Sequence, residues 1–275
     1  MSSFGERLRV AMDDRGPLCA GIDPHARLLG DWGLNDDVAG LERFTMTAVE
    51  ALAGTVAAVK PQSAFFERHG SRGIAVLERG VTAARDLGAL VILDVKRGDI
   101  GSTAQAYADA YLDPSSPLAV DAITASPFLG VGSLDPMFET AEKHGAGVFA
   151  LALTSNPEGP QVQHARTTAG GSVAGTVLDA LRALNAGALR LGSFGAVVGA
   201  TIGSTDEDLD INGPLLVPGV GAQGGSAADV RRIFGSALRN VLPSSSREIL
   251  AAGPDVTALR GAAVRANDDF RGLVR

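Results

Sequence analysis

An alternating run of charges stands at the end of an apolar segment in the first half of the chain. Residues 94–103 read DVKRGDIGST and follow the apolar residues 90–93. In an extended chain successive side chains point to opposite faces, so Asp94 and Lys96 share one face, about 7 Å apart along the strand. Exposed D-x-K pairs are most often surface salt bridges that contribute little to stability. Here the pair closes a buried strand, where α/β barrels keep their catalytic groups, so one substrate centre is expected to contact both side chains.

A second candidate site lies in a glycine-rich segment nearer the C-terminus. Residues 219–224 satisfy G-x-G-x-x-G, a pattern that also occurs in dinucleotide-binding loops. Such loops need an acidic residue about 20 positions later for the ribose hydroxyls, whereas residues 242–247 read LPSSSR. A cation beside hydroxyls suits a phosphate monoester, and barrels often bind phosphate with the loops after strands seven and eight. A phosphate site is therefore favoured over a merely flexible turn at 221–225.

The elements that must position both segments repeat along the chain. Apolar strand-like runs alternate with helical stretches, which favours βα units and a parallel sheet. Eight strands are predicted, at residues 18–22, 57–59, 90–93, 122–124, 148–153, 195–198, 215–217 and 240–242. The polar and charged residues at or just after their ends are Asp23, Lys60, Asp94, Lys96, Thr124, Ser155, Gln223 and Arg247. An α/β fold of the (β/α)8 TIM barrel type gathers such residues at one mouth, whereas an open doubly wound sheet spreads them along an edge, so we predict the barrel.

Length and composition agree with one large domain. The 275 residues are 45% hydrophobic and no linker divides them, so a single barrel domain over 1–275 is predicted. Residues 1–12 lack the apolar stretch of a signal peptide and predict an extra N-terminal helix that packs on the barrel. The net charge of -7 offers no basic surface to nucleic acid, and no run is apolar enough to cross a membrane. Cys19 is the only cysteine, so no internal disulfide can form and a cytoplasmic location is expected.

Four segments, in order along the chain, resemble the motifs of the orotidine 5'-phosphate decarboxylase family, in its longer bacterial branch. They are residues 18–24 (LCAGIDP), 57–61 (AAVKP), 94–103 (DVKRGDIGST) and 217–225 (VPGVGAQGG). The resemblance implies decarboxylation of orotidine 5'-phosphate to uridine 5'-phosphate, the last step of de novo pyrimidine nucleotide synthesis. It also implies an alternating hydrogen-bonded array of Lys60, Asp94, Lys96 and Asp99. In this family the second aspartate comes from the partner subunit of a homodimer, so Asp99, with Ile100 and Thr103, is expected to enter the neighbouring site.

The remaining substrate contacts are assigned by the same resemblance. Asp23 and Lys60 would bind the ribose hydroxyls, and Ser155 would bond the pyrimidine ring, although a Ser before Asn-Pro is also an ordinary turn former. The segment that follows, up to Gly171, is a candidate lid over the base. The expected contacts around the 5'-phosphate are Pro218, Gly221, Gln223, Ser246 and Arg247.

The implied mechanism is electrostatic and uses no cofactor and no metal. Loss of CO2 leaves a carbanion at C6 whose lone pair lies in the ring plane, so the ring cannot delocalise it well. We expect the Lys96 ammonium to stabilise that charge and then to protonate C6. The four histidines, at positions 25, 69, 144 and 164, show no metal-ligand spacing, and the acidic run at 206–210 is typical of a solvated loop.

Two alternatives stay open at this point. Metal-dependent ketose-phosphate aldolases and keto-sugar-phosphate decarboxylases also carry a D-x-K-x-x-D pattern, but their sites need a carboxylate cluster for Mg2+. In this sequence Lys60 stands at a strand end where such a site would use an acid. A catalytically inactive nucleotide-binding barrel would be expected to lack Lys96 or Asp94, and both are present.

Overall fold

The protein is a closed barrel of eight parallel strands. A computed structural model describes residues 2–221 and 224–272, and its strands are hydrogen-bonded in chain order, with the last pairing with the first. This arrangement confirms the predicted (β/α)8 TIM barrel. The strands are β1 Cys19–Ile22, β2 Ala58–Pro61, β3 Leu90–Arg97, β4 Ala122–Ala125, β5 Gly147–Leu153, β6 Phe194–Val198, β7 Leu215–Pro218 and β8 Val241–Ser245.

Helices lie in the connections between the strands, and also before the first strand and after the last. They are α1 Phe4–Arg15, α2 Ala26–Asp31, α3 Val38–Leu52, α4 Ala64–Glu67, α5 Gly70–Asp86, α6 Gly101–Leu112, α7 Asp135–His144, α8 Gly159–Gln163, α9 Val173–Leu184, α10 Ala227–Phe234, α11 Arg247–Leu250 and α12 Val256–Arg271. Their apolar faces pack on the outer face of the strands in one continuous core. Within the described ranges, none of these helices is long and apolar enough to span a membrane.

The amino-terminal helix closes one end of the barrel. It begins with a capping box, in which the Ser3 hydroxyl accepts the Glu6 amide and the Glu6 carboxylate accepts the Ser3 amide. Phe4 and Leu8 are fully buried, and the Phe4 ring meets the barrel residue Phe149 edge-on, with centroids 5.9 Å apart. These contacts confirm the predicted extra helix, and they leave the carboxyl ends of the strands to form the mouth.

Several strands run further than the apolar segments that predicted them. β3 continues through the charged residues to Arg97, and β8 continues through buried serines to Ser245. The pairing of β3 with β4 also shifts register between Leu93 and Arg97, which is a bulge. Bulges bend a strand and redirect its side chains, and this one lies at Asp94 and Lys96.

Candidate active site

A cavity of about 670 Å³ opens at the carboxyl ends of the strands. Its volume is in the range of sites for small organic ligands. The predicted site residues that line it are Asp23, Lys60, Asp94, Lys96, Ser155, Pro218, Ser246 and Arg247. All eight strands contribute to the lining of the cavity through their ends or the loops that follow them, as expected for a TIM barrel.

Asp94 is the centre of the charge array. Its Oδ2 accepts a hydrogen bond from Lys60 Nζ at 2.7 Å, and its Oδ1 accepts one from Lys96 Nζ at 2.5 Å. The Asp94 and Lys60 side chains are each 8% exposed, whereas Lys96 is 45% exposed and extends into the cavity. Both lysines border the cavity, but their surroundings differ, because Lys60 is almost completely buried and Lys96 is about half exposed.

The ionisation of this array follows from the pairing. Burial opposes the charge on Asp94, but the ammonium groups of Lys60 and Lys96 outweigh it and hold the pKa of Asp94 well below its ordinary range. Burial likewise opposes the charge on Lys60, but the Asp94 and Asp23 carboxylates outweigh it and raise the pKa of Lys60 above its ordinary value. Asp94 and Lys60 are thus both ionised at neutral pH.

Thr124 supports the array from the next strand. Its hydroxyl donates to Asp94 Oδ1 at 2.8 Å and accepts the backbone N–H of Lys96 at 2.9 Å. Lys96 itself has a φ of +45°, a conformation that non-glycine residues adopt rarely and that is often found at functional sites. Sequence reasoning placed Thr124 at the mouth but gave it no role, because a strand threonine is more commonly a packing residue.

A polar recess lies on the opposite side of the cavity, between β1 and β8. Asp23 Oδ1 and Ser246 Oγ are buried there, and neither atom has a hydrogen-bond partner within the described part of the chain. Gly21 keeps the two strands close, because a Cβ at that position would lie 2.6 Å from the Ser246 Cβ. Buried polar atoms are normally paired, so these oxygens are well placed for a ligand that carries hydroxyl or phosphate groups.

The glycine-rich loop after β7 folds back on itself. Gly219 and Gly221 have φ values of +96° and +70°, and the Gly221 amide donates to the Gly225 carbonyl at 2.9 Å. Gly221 does not face the main cavity but lines a separate one of about 380 Å³ behind the loop. Gln223 lies outside the described residues, so its predicted contact remains a prediction. Arg247, at the start of α11, is exposed and borders the cavity beside Ser246.

The predicted pyrimidine-side segment forms the wall after β5. Ser155 borders the cavity, and its Cβ packs against Gly199, where an added Cβ would lie 3.1 Å away. Gln163, at the end of α8, lies in the candidate lid segment that follows Ser155. Its Oε1 accepts a hydrogen bond from the Thr154 amide at 2.9 Å and so connects the lid to this wall. Thr154 also donates to Asn156 Oδ1 at 2.6 Å.

Besides Gly221, three other predicted residues are not brought to this cavity within one chain. Asp99 Oδ1 accepts the amide of Ile100 at 2.8 Å, Ile100 is 62% exposed, and Thr103 is also exposed on α6. None of the three lines the cavity in the part of the chain that the structure describes. Their predicted entry into a partner's site remains a prediction.

Sequence reasoning missed several cavity residues. His25 and Gln62 border the cavity from just beyond β1 and β2, and the His25 ring packs against Phe65 in a tilted arrangement with centroids 4.2 Å apart. The signal that could have found them is their position within three residues of a strand end, since side chains at this end of a barrel face the mouth. Across residues 2–221 and 224–272, no group of three or more His, Cys, Asp or Glu side chains is arranged to hold a metal ion.

Comparison with known proteins identifies the family to which this barrel belongs. The sequence pattern of the orotidine 5'-phosphate decarboxylase / HUMPS family matches residues 16–262. The chain belongs to this family. Orotidine 5'-phosphate decarboxylases from Nocardioides sp. and Streptomyces coelicolor are 70% and 63% identical to it. These alignments cover 98% of this chain and 100% of the first relative, and 100% of this chain and 99% of the second.

Solved structures show the same relationship. A crystal structure of a Streptomyces avermitilis protein is 63% identical and matches with a TM-score of 0.96, covering 100% of this chain and 96% of that one. The Leishmania donovani OMP decarboxylase is 29% identical, with a TM-score of 0.72 and coverage of 99% and 98%. The family relationship inferred from four short motifs therefore extends over the whole barrel.

Proposed function

We propose that the protein decarboxylates orotidine 5'-phosphate to uridine 5'-phosphate, the last step of de novo pyrimidine nucleotide synthesis. The observation that carries the proposal is the array in which Lys60 and Lys96 bind one buried carboxylate, Asp94, at the mouth of a barrel of this family. Among these three cavity residues, Lys96 has the most exposed side chain.

Lys96 is assigned both charge stabilisation and proton delivery. As the bond between C6 and the carboxylate breaks, its electron pair stays at C6 in the ring plane, where the ring carbonyls cannot delocalise it. The Lys96 ammonium lies beside C6, stabilises the developing charge, and transfers a proton to it. Asp94 is assigned the orientation of that ammonium, and its own ionisation is secured by Lys60.

Contacts remote from C6 must contribute much of the rate acceleration. A barrier reduction near the upper end for enzymes is about 20 kcal/mol, more than a single ammonium–carbanion contact supplies. We assign the ribose hydroxyls to Asp23 and Lys60, and the 5'-phosphate to Ser246 and Arg247 together with Pro218, Gly221 and Gln223. Ser155 is assigned to the pyrimidine ring. Binding energy from these non-reacting parts holds the substrate against Lys96.

We further propose a homodimer in which Asp99, Ile100 and Thr103 complete the neighbouring site. Within the described residues, these three side chains do not line the cavity of their own chain, and Ile100 and Phe128 are 62% and 75% exposed. Large exposed apolar side chains commonly mark interaction surfaces. We also propose that residues 1–275 form one catalytic domain. Its proposed location is the cytoplasm, where the buried thiol of Cys19 would stay reduced.

Subunit mixing tests the shared site. Asp99→Ala and Lys96→Ala homodimers should each be nearly inactive, whereas a mixed dimer has one site with both changes and one site with neither. Activity should therefore reappear on mixing, up to the limit set by the fraction of mixed dimer, which differently tagged chains would quantify. If tagged mixed dimers form and activity stays absent, Asp99 does not act across an interface.

The activity itself is tested with purified protein and orotidine 5'-phosphate in the presence of EDTA. Loss of the orotate absorbance with formation of uridine 5'-phosphate is the expected result, and chelation should not slow it. A 3-keto-sugar phosphate serves as the competing substrate. Turnover of that compound, or activity on either substrate that EDTA abolishes, would instead favour the metal-dependent branch of the family.

A further inference from the structure

We propose that Arg97, clamped by Glu67, is a positioning residue that holds the bulged end of β3 and thereby places the Lys96 ammonium. The inference rests on the proposed decarboxylase function and assigns a role to the residue between Lys96 and Gly98 that the charge array leaves unexplained. Arg97 and Glu67 do not line the cavity within the described part of the chain. They would act on the reaction only through Lys96.

The end of β3 is a strained segment that needs external support. β3 and β4 lose register between Leu93 and Arg97, and inside that bulge Lys96 has a φ of +45°. A residue in a sparsely populated backbone conformation persists only when the structure around it over-determines its position. On the inner side, the Thr124 hydroxyl accepts the Lys96 amide at 2.9 Å. A second anchor is required on the outer side.

Arg97 provides that outer anchor through several contacts. Its Nη2 donates to Glu67 Oε1 at 2.5 Å, and its Nη1 donates to the Val95 carbonyl at 3.2 Å, inside the bulge itself. Its guanidinium also lies over the Tyr107 ring, 5.6 Å from the centroid. A planar guanidinium suits this combination of ion pair, carbonyl contact and ring stacking, which a lysine ammonium does not reproduce.

Glu67 is in turn fixed to the catalytic strand. Its Oε1 accepts the Ser63 hydroxyl at 2.6 Å, and the Ser63 amide donates to the Asp94 carbonyl at 3.2 Å. Burial opposes the charge on Glu67, but the bonds from Ser63 and Arg97 outweigh it and lower its pKa. The clamp thus forms a closed path from the backbone of Asp94 through Glu67 to Arg97.

The backbone on the far side of Arg97 is equally constrained. The Arg97 carbonyl accepts the Ser126 amide at 2.8 Å, and a Cβ at Gly98 would lie 2.3 Å from the Ser126 carbonyl oxygen. The chain that carries Lys96 is therefore held tightly on both sides. Loss of the Arg97 side-chain contacts is expected to relax the bulge and displace the Lys96 ammonium. The recess near Asp23 should change little.

The test compares turnover with nucleotide binding in Arg97→Met, Arg97→Lys and Glu67→Gln. A displacement of about 1 Å at a reacting group costs on the order of 100-fold in rate, so kcat for orotidine 5'-phosphate should fall by about 10- to 100-fold in Arg97→Met and Glu67→Gln. The Kd for uridine 5'-phosphate should stay within about two-fold of the wild type, because the binding contacts are unchanged. Arg97→Lys should recover part of the lost kcat.

Glu42→Gln is the matched control, since it removes the carboxylate from an exposed ion pair with Arg79 (2.8 Å) on α3 and α5. It should leave kcat unchanged. The clamp is refuted if both Glu67→Gln and Arg97→Met retain wild-type kcat, or if their kcat and nucleotide affinity decline in parallel. If Arg97→Met does not fold, Glu67→Gln decides alone. An inactive wild-type enzyme would instead refute the proposed function.

Discussion

Substitutions of the two lysines that bond to Asp94 should differ in their effect on protein stability. Lys60→Met and Lys96→Met each replace a lysine with a side chain of similar length and remove one of the two ammonium groups that bond to the Asp94 carboxylate. Lys60 is 8% exposed and Lys96 is 45% exposed. At 2.7 Å and an effective dielectric constant of about 20, the attraction between Lys60 and Asp94 is about 6 kcal/mol. Desolvation offsets part of this, and the loss of one partner from a buried pair typically costs about 3–5 kcal/mol.

We therefore expect Lys60→Met to lower the free energy of unfolding by about 3–5 kcal/mol. Lys96→Met should lower it by less than about 1 kcal/mol, because its half-exposed charge is screened by water. Urea unfolding followed by the fluorescence of Trp32 measures both, since this single tryptophan is buried against Phe44 and donates to the Leu250 carbonyl. Equal losses in the two variants, or a larger loss in Lys96→Met, would refute the assignment of Lys60 as the structural partner.

Three further outcomes follow from the site. Because the pKa of Asp94 is depressed in the folded state, its contribution to stability is present above the unfolded value of about 3.9 and is lost progressively as the pH falls from there toward the folded-state value. Asp94→Asn should therefore flatten the decline in unfolding free energy below about pH 4 in urea titrations. Thr124→Val should lower kcat by about 10-fold, through loss of a hydrogen bond to a charged group, while Thr124→Ser retains the hydroxyl and should stay near the wild type; equal losses in both would contradict this role. Arg247→Ala should lower kcat/KM for orotidine 5'-phosphate by about 100-fold and have little effect on orotidine, and equal losses on the two substrates would make Arg247 structural.

The barrel was predictable from the sequence because its strands are short apolar runs that alternate with helical stretches. Strand ends were less predictable, since β3 continues through charged residues and β8 through the buried Ser244 and Ser245. Polar residues normally end a hydrophobic pattern. At this end of the barrel Asp94 and Lys96 pair with each other, and Arg97 pairs with Glu67. Ser244 borders the main cavity and Ser245 borders the smaller one, so the strand pairing continues through these polar residues.

Three members of the predicted charge array, Lys60, Asp94 and Lys96, lie together in the structure, but the backbone geometry that brings them together was not predicted. Spacing alone places Asp94 and Lys96 on one face, whereas the bulge and the positive φ of Lys96 arise from pairing with β4, which no local pattern in β3 encodes. The same holds for Thr124, whose importance comes from a neighbour 30 residues away in sequence. Asp99 illustrates the reverse case, because one chain does not bring it to the cavity at all.

The most direct test of the central claim is a single-turnover measurement with Lys96→Met and orotidine 5'-phosphate. This variant should fold, bind uridine 5'-phosphate with an affinity close to that of the wild type, and release no CO2 from bound substrate. The wild type, in the same assay, should convert bound substrate fully to uridine 5'-phosphate. Substantial CO2 release by Lys96→Met would contradict the assignment of Lys96 as the group that stabilises and protonates C6.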